Sequence, residues 1–372
     1  MNSRSEAFAA ASAARPLPYR AAAADPRPVA VWLLCCCGMI FVMVLLGGIT
    51  RLTLSGLSMT QWHPVTGIVP PLSHAAWLAE FERYQQIPQY KLLNYGMTLA
   101  QFKNIFWWEY FHRLWGRLIG FAYLLPLLWF IWRRQVPKRL ILPLAGLFLL
   151  GAAQGGLGWY MVESGLVHRV EVSQYRLTAH LALALAIYSL GLWIALGILR
   201  RSTSTGRSAG VPTAWRRLGE ALIALVAVTI CAGGFVAGLN AGLVYNTFPL
   251  MDGSFVPAGY AQLHPFVRNW FENVAAVQFD HRILAMTTAS AVLLLWAFGR
   301  RAGLPRPARL ALHALLAVVA LQFSLGLSTL LLVVPISLAA AHQGGAVLLL
   351  TAAIVFRSTL AAEPRPQNSP LR

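Results

Sequence analysis

Glu109-Tyr110-Phe111-His112-Arg113-Leu114-Trp115-Gly116-Arg117 sits inside one long apolar run, and Gln278-Phe279-Asp280-His281-Arg282-Ile283-Leu284-Ala285-Met286 sits inside another. A His-Arg dipeptide is expensive in hydrocarbon, and ionisable residues in such segments usually serve a function. Its presence in two apolar runs, one in each half of the chain, points to a duplicated membrane unit.

The surrounding composition agrees. The 372 residues are 58% hydrophobic and 11% charged, with a mean hydropathy of +0.60. Soluble domains carry about 25% charged residues, so a soluble globular enzyme is excluded. Disorder of the whole chain is excluded by its apolar content. A span needs about 20 apolar residues. Residues 29–50, 140–162, 177–199, 221–243, 310–334 and 336–356 qualify, the last two separated by a tight turn at Pro335. Residues 106–132 and 274–298 qualify despite internal charge. The apolar run of the first is too long for a signal-peptide core and lacks a small-residue cleavage site, so it reads as a retained helix.

The formal net charge of +18 suggests nucleic acid only until the basic residues are placed. Twenty of the 30 fall in the two tails and in the connections after the second, fourth and sixth spans. Seven fall on the opposite side, and Arg113, Arg117 and Arg282 lie within spans. This asymmetry predicts cytoplasmic termini and a multi-pass inner (cell) membrane protein, with lipid and not nucleic acid as its surroundings. The four cysteines, Cys35, Cys36, Cys37 and Cys231, lie in spans without metal-ligand spacing and read as packing residues.

Further matches define the repeat. Gly47-Gly48 and Gly56-Leu57 recur at an offset of 186 as Gly233-Gly234 and Gly242-Leu243. Gln154 with Leu157-Gly158 matches Gln322 with Leu325-Gly326, and Ala179-His180 matches Ala341-His342. The expected fold is all-α: eight transmembrane helices arranged as two tandem pseudo-symmetric four-helix bundles. The expected divisions are a disordered tail (1–28), an N-terminal repeat (29–200), a basic linker (201–218), a C-terminal repeat (219–357) and a second tail (358–372).

Of nine histidines, His63, His74, His168 and His264 fall in outer loops, and His313 lies near an inner helix end. His112, His180, His281 and His342 lie near the outer ends of spans two, four, six and eight, each expected within two turns of its helix start. Paired imidazoles on facing helices suit a six-coordinate haem iron. The natural pairs are His112 with His180 and His281 with His342. A proton relay and a transition-metal site are the other readings, the latter disfavoured because no cysteine or second carboxylate joins each pair. Arg113 and Arg282 would offset haem propionates, or else snorkel to the surface. Glu109 stands three residues before His112, whereas Gln278 stands three before His281. One half therefore has an acid on the ligand's helix face and the other an amide, which predicts chemistry in the first half and electron storage or structure in the second. An ion pair of Glu109 with Arg113 is the simpler alternative, and a structural pairing is expected for Asp280. Trp62, His63, Trp77, Phe81 and Tyr84 of the long first outer loop read either as a cover for a substrate edge or as interfacial aromatics.

At these residues the sequence resembles the heme A synthase family, over about residues 28–358. The motifs are Thr50-Arg51-Leu52, Ser55-Gly56-Leu57, the quoted 109–117 segment, Asn246-Thr247-Phe248-Pro249-Leu250-Met251, Phe279-Asp280-His281-Arg282 and Ala341-His342-Gln343. The resemblance implies a membrane haem-dependent oxidoreductase that oxidises a methyl group of haem O to formyl, giving haem A for terminal oxidases. It implies haem b on His281 and His342, haem O as substrate at His112 and His180, and Glu109 as the essential acid. It implies a haem O synthase and an electron-transfer partner nearby, and a homo-oligomer is compatible with it. Some bacterial members carry an outer-loop cysteine pair; this chain has none and looks more like the proteobacterial and mitochondrial branch. The alternative is a di-haem b electron-transfer protein without substrate turnover, and a transporter would need broken helices at mid-membrane.

Overall fold

A computed structural model describes residues 25–63, 66–167, 169–203 and 211–360. Residues 1–24 and 361–372 of the expected tails, 204–210 of the expected linker, and His168 lie outside the described residues. The helices are α1 (Arg27–Leu52), α2 (His74–Gln85), α3 (Pro88–Leu92), α4 (Leu99–Trp132), α5 (Lys138–Val167), α6 (Gln174–Thr203), α7 (Thr213–Gly238), α8 (Asn269–Glu272), α9 (Val274–Gly299), α10 (Arg306–Leu331) and α11 (Ile336–Thr359). Eight of them, α1, α4–α7 and α9–α11, are long and apolar enough to cross a membrane. The protein is therefore an all-helical, multi-pass membrane protein.

Two boundaries differ from the hydropathy reading, each for a local reason. The fourth helix starts at Leu99, because Thr98 and Gln101 form a capping box that satisfies backbone groups at its N-terminus. At 34 residues it is about 51 Å long, so it outreaches the hydrocarbon. The apolar run 221–243 is not all helix. The seventh helix ends at Gly238, Asn240 turns left-handed (φ 52°), and Ala241–Leu243 form a 3-10 turn. Near Pro335 the chain reverses through Val333 and Val334, both at φ 58°. That conformation is rare for a β-branched residue; here Val334 N–H donates to the Thr329 carbonyl at 2.8 Å.

Helix α1 packs on α4 and α6, and α5 packs on α6 and α4. In the second half α7 packs on α9 and α11, and α10 packs on α11 and α9. Between the halves, α6 meets α7 and α11, and α1 meets α11. The largest buried cluster straddles this seam, with Val44 of α1, Leu185 and Leu192 of α6, Leu222 and Val226 of α7, and Val347 and Leu350 of α11. Lipid tails are as apolar as these side chains, so close packing must supply the association. Cys37 is buried within it, Cys36 is buried in a second cluster with Leu33, Leu144 and Leu147, and all four thiols are free.

Glycine makes the seam possible. A Cβ on Gly48 would collide with Gln343, whose Nε2 donates to the Val44 carbonyl at 2.9 Å. A Cβ on Gly238 would stand 2.7 Å from the Cα of Gln174, a backbone atom that cannot swing aside. Gly238→Ala is expected to cost about 1–3 kcal/mol, measured as a lower thermal unfolding midpoint of the detergent-solubilised protein.

Candidate functional site

Each of the four span histidines rests on a glycine of a neighbouring helix. A Cβ would stand 3.0 Å from His112 Cε1 if placed on Gly47, 3.0 Å from His180 Cε1 on Gly158, 3.0 Å from His281 Cε1 on Gly233, and 2.6 Å from His342 Cε1 on Gly326. A Cβ there would make the imidazole shift, by a few tenths of an ångström at Gly47, Gly158 and Gly233 and by more at Gly326. His112 lies within electrostatic range of His180, and His281 of His342. Three of the four histidines come six or seven residues after their helix starts, at Gln174, Val274 and Ile336. His112 comes 13 residues after Leu99, a departure from the expected two turns that follows from the two extra turns α4 gains from its cap.

The ring nitrogens suit a metal-bound porphyrin. His281 Nδ1 lies 3.2 Å from the Thr229 carbonyl. A carbonyl only accepts, so Nδ1 carries the proton and Nε2 is left as a lone-pair donor. The Nδ1 atoms of His112, His180 and His342 are buried without a protein partner, as are Gln154 Oε1 and Gln322 Oε1. Among the described residues no three of His, Cys, Asp and Glu gather in a metal-holding group. A porphyrin brings four nitrogens of its own, so two imidazoles complete its iron.

Arg113 and Arg282 have a shared task that the sequence did not announce. Arg113 donates to the carbonyls of Met59 (2.8 Å) and Gln61 (2.9 Å). Arg282 donates to the carbonyls of Tyr245 (2.7 Å) and Thr247 (2.8 Å). The two carbonyl pairs are related by the repeat offset of 186. Each guanidinium thus clamps the extended segment that follows the first helix of its half onto the histidine-bearing helix. Neither is free to snorkel, and Nε of Arg282 remains buried without a partner.

The expected difference between halves takes a definite form. Glu109 is buried and pairs with Arg113 at 2.5 Å, the ion pair that was the simpler expectation. Its other oxygen, Oε2, accepts from Ser58 Oγ and from the Met59 N–H, both at 2.8 Å. Gln278 donates instead to the Tyr245 carbonyl at 3.0 Å. Asp280 accepts from the Tyr260 hydroxyl at 2.9 Å, a structural pairing as expected.

The aromatic outer loop divides. Trp77, Phe81 and Tyr84 are buried with Phe102, Phe106 and Tyr110 of α4 in a layer of their own, so they are neither interfacial nor open to a ligand. Burial there raises the Tyr84 hydroxyl above its ordinary pKa. Trp62 behaves differently: it is 47% exposed and stacks on Trp159, next to Gly158, with ring centroids 5.4 Å apart. His63 bonds to Gln61 at 2.9 Å.

Eight spans with four glycine-seated imidazoles define a helical, multi-pass membrane protein. A family model for the COX15-CtaA cytochrome oxidase assembly proteins matches residues 30–354, and the chain belongs to that family. A Heme A synthase of Nitrosospira multiformis is 54% identical over 88% of this chain and 92% of its own length. One of Rhodospirillum centenum is 53% identical over 93% and 91%. Heme A synthase COX15 of Homo sapiens is 45% identical over 94% and 86%, so the similarity reaches both bacterial and mitochondrial branches.

The glycine seats predict a selective defect. Gly326→Ala, whose Cβ would press on His342, should lower the thermal unfolding midpoint of the purified protein by the equivalent of about 1–3 kcal/mol of overpacking. Gly146→Ala, where a Cβ meets nothing within 4 Å, should leave it unchanged.

Proposed function

We propose that the chain is a heme A synthase, a membrane oxidoreductase that converts a methyl group of haem O to a formyl group to give haem A for terminal oxidases. Family membership and relatives of that name at about 50% identity support the activity. The observation that carries the site assignment is the asymmetry between two similar imidazole pairs, only one of which has a buried carboxylate on its ligand helix.

The halves are 29–200 and 219–357. His281 and His342 hold a resident haem b, which when bound supplies one-electron chemistry. His112 and His180 receive haem O as substrate, in a site where Gly47 and Gly158 leave room for the rings. Glu109 is the essential carboxyl group of the reaction: one turn from His112, it would relay protons or polarise water near the reacting methyl group. Arg113 and Arg282, which fasten the outer segments, would offset the charge of the haem propionates. Trp62 and Trp159 close the outer side of the substrate half. The excess of basic residues on one face supports an inner-membrane location with both termini in the cytoplasm. A haem O synthase delivers the substrate, and a separate electron-transfer partner exchanges electrons with the second half. A di-haem electron-transfer protein without turnover would share the four ligands but gives no reason for the Glu109/Gln278 difference.

Pigment extraction from purified variants tests the division of labour. His281→Ala is expected to lose haem b. His112→Ala should retain haem b but yield no haem A. Glu109→Gln should retain haem b and lower haem A formation by at least about 100-fold, the range of a lost acid–base group. Normal haem A output from Glu109→Gln would remove Glu109 from the mechanism.

A further inference from the structure

The acid of the first half comes with a second change. Ser58 is fully buried, and its hydroxyl donates to Glu109 Oε2 at 2.8 Å. At the repeat offset of 186, Ser58 corresponds to Val244. Valine has no hydroxyl, and on that side Gln278 Oε1 is buried without a partner. The hydroxyl and the carboxylate are thus present together in one half and absent together in the other.

A simple tether would not need this hydroxyl. The Arg113 clamp on Met59 and Gln61 already fastens the segment to α4, and the Arg282 clamp on Tyr245 and Thr247 fastens its counterpart without any serine. What Ser58 adds is its short bond to the carboxylate at 2.8 Å; its other contact, to the Ile105 carbonyl, is longer at 3.4 Å. Arg113 draws Oε1 from one side. Ser58 Oγ and the Met59 N–H hold Oε2 from the other, so the carboxylate plane cannot pivot about its end torsion, which is otherwise soft.

We infer that Ser58 is a positioning residue for the reaction, and that the Ser58/Glu109 pair against the Val244/Gln278 pair decides which half turns over its haem and which only holds it. The inference rests on the reading of Glu109 as the acid. A hydrogen bond to a charged group contributes more than a neutral one, and its loss at the reacting group appears in turnover.

The experiment uses the purified full-length chain with haem O as substrate, a one-electron redox partner and aerobic buffer, with dioxygen as the terminal oxidant and haem A formation as the readout. Ser58→Val is expected to lower kcat by about 10- to 100-fold with KM for haem O within about twofold. Ser58→Thr, which keeps the hydroxyl, should restore most of it. The absorption spectrum of the haem on His281 and His342 should be the same in all variants. In a Glu109→Asp background, whose shorter carboxyl group no longer meets Ser58, the added Ser58→Val should cost less than about twofold. Wild-type kcat in Ser58→Val would overturn the inference while leaving Glu109 in place, and so would an equal loss in both backgrounds. If Ser58→Val does not yield folded protein, Ser58→Ala is read in the same way. Full activity in Glu109→Gln would instead sink the reading beneath it.

Discussion

Everything in this molecule depends on placing imidazole rings between membrane helices without leaving them adrift in lipid. A histidine ring is too wide for an ordinary helix crossing. The structure meets this constraint four times in the same way, by removing the side chain opposite: Gly47, Gly158, Gly233 and Gly326 each present bare backbone to a ring. Helix spacing, ring orientation and the pairing of histidines across each half then follow from one small residue per crossing. The cost is that growth at these positions shifts a ring, and the rings are held by shape more than by hydrogen bonds.

The outer segments solve a second problem. A chain leaving the end of a membrane helix exposes carbonyls that hydrocarbon cannot satisfy. Arg113 and Arg282 meet those carbonyls from within the bundle. A charged side chain that would be a liability in lipid thereby becomes the fastening of the outer surface. In the first half the same arginine also neutralises Glu109, so one guanidinium serves the backbone and the acid at once.

Much of this was legible in the sequence because the duplication supplies an internal control. Hydropathy found eight spans, and the repeated His-Arg and Gly-Gly pairs marked helices that meet within each half, α1 with α4 and α7 with α9. The Glu109/Gln278 difference could be read only because the rest matched. What escaped was whatever depends on backbone atoms. The Thr98-x-x-Gln101 capping signal was present but lay ahead of the apolar run, so α4 looked two turns too short. The run 221–243 looked like one helix because hydropathy does not register a left-handed Asn240. The carbonyl clamps of Arg113 and Arg282 leave no side-chain partner to be read, and Ser58 is unremarkable until Val244 is set beside it. Trp77, Phe81 and Tyr84 could not be told from interfacial aromatics, since only tertiary contact shows them turned inward.

The paired glycines of α1 and α7 face two ways. Gly47 seats His112 of its own half, while Gly48 meets Gln343 of the other; Gly233 seats His281, while Gly234 meets Thr178 and Leu181 across the seam. Successive residues on a helix are turned by 100°, so one dipeptide sets both the inner pocket and the outer face of its unit. The same kind of dipeptide thus does two jobs in each half. Because the two halves are parts of one chain, the residues beside their histidines are free to differ, Glu109 in one and Gln278 in the other, a freedom that two identical subunits never have.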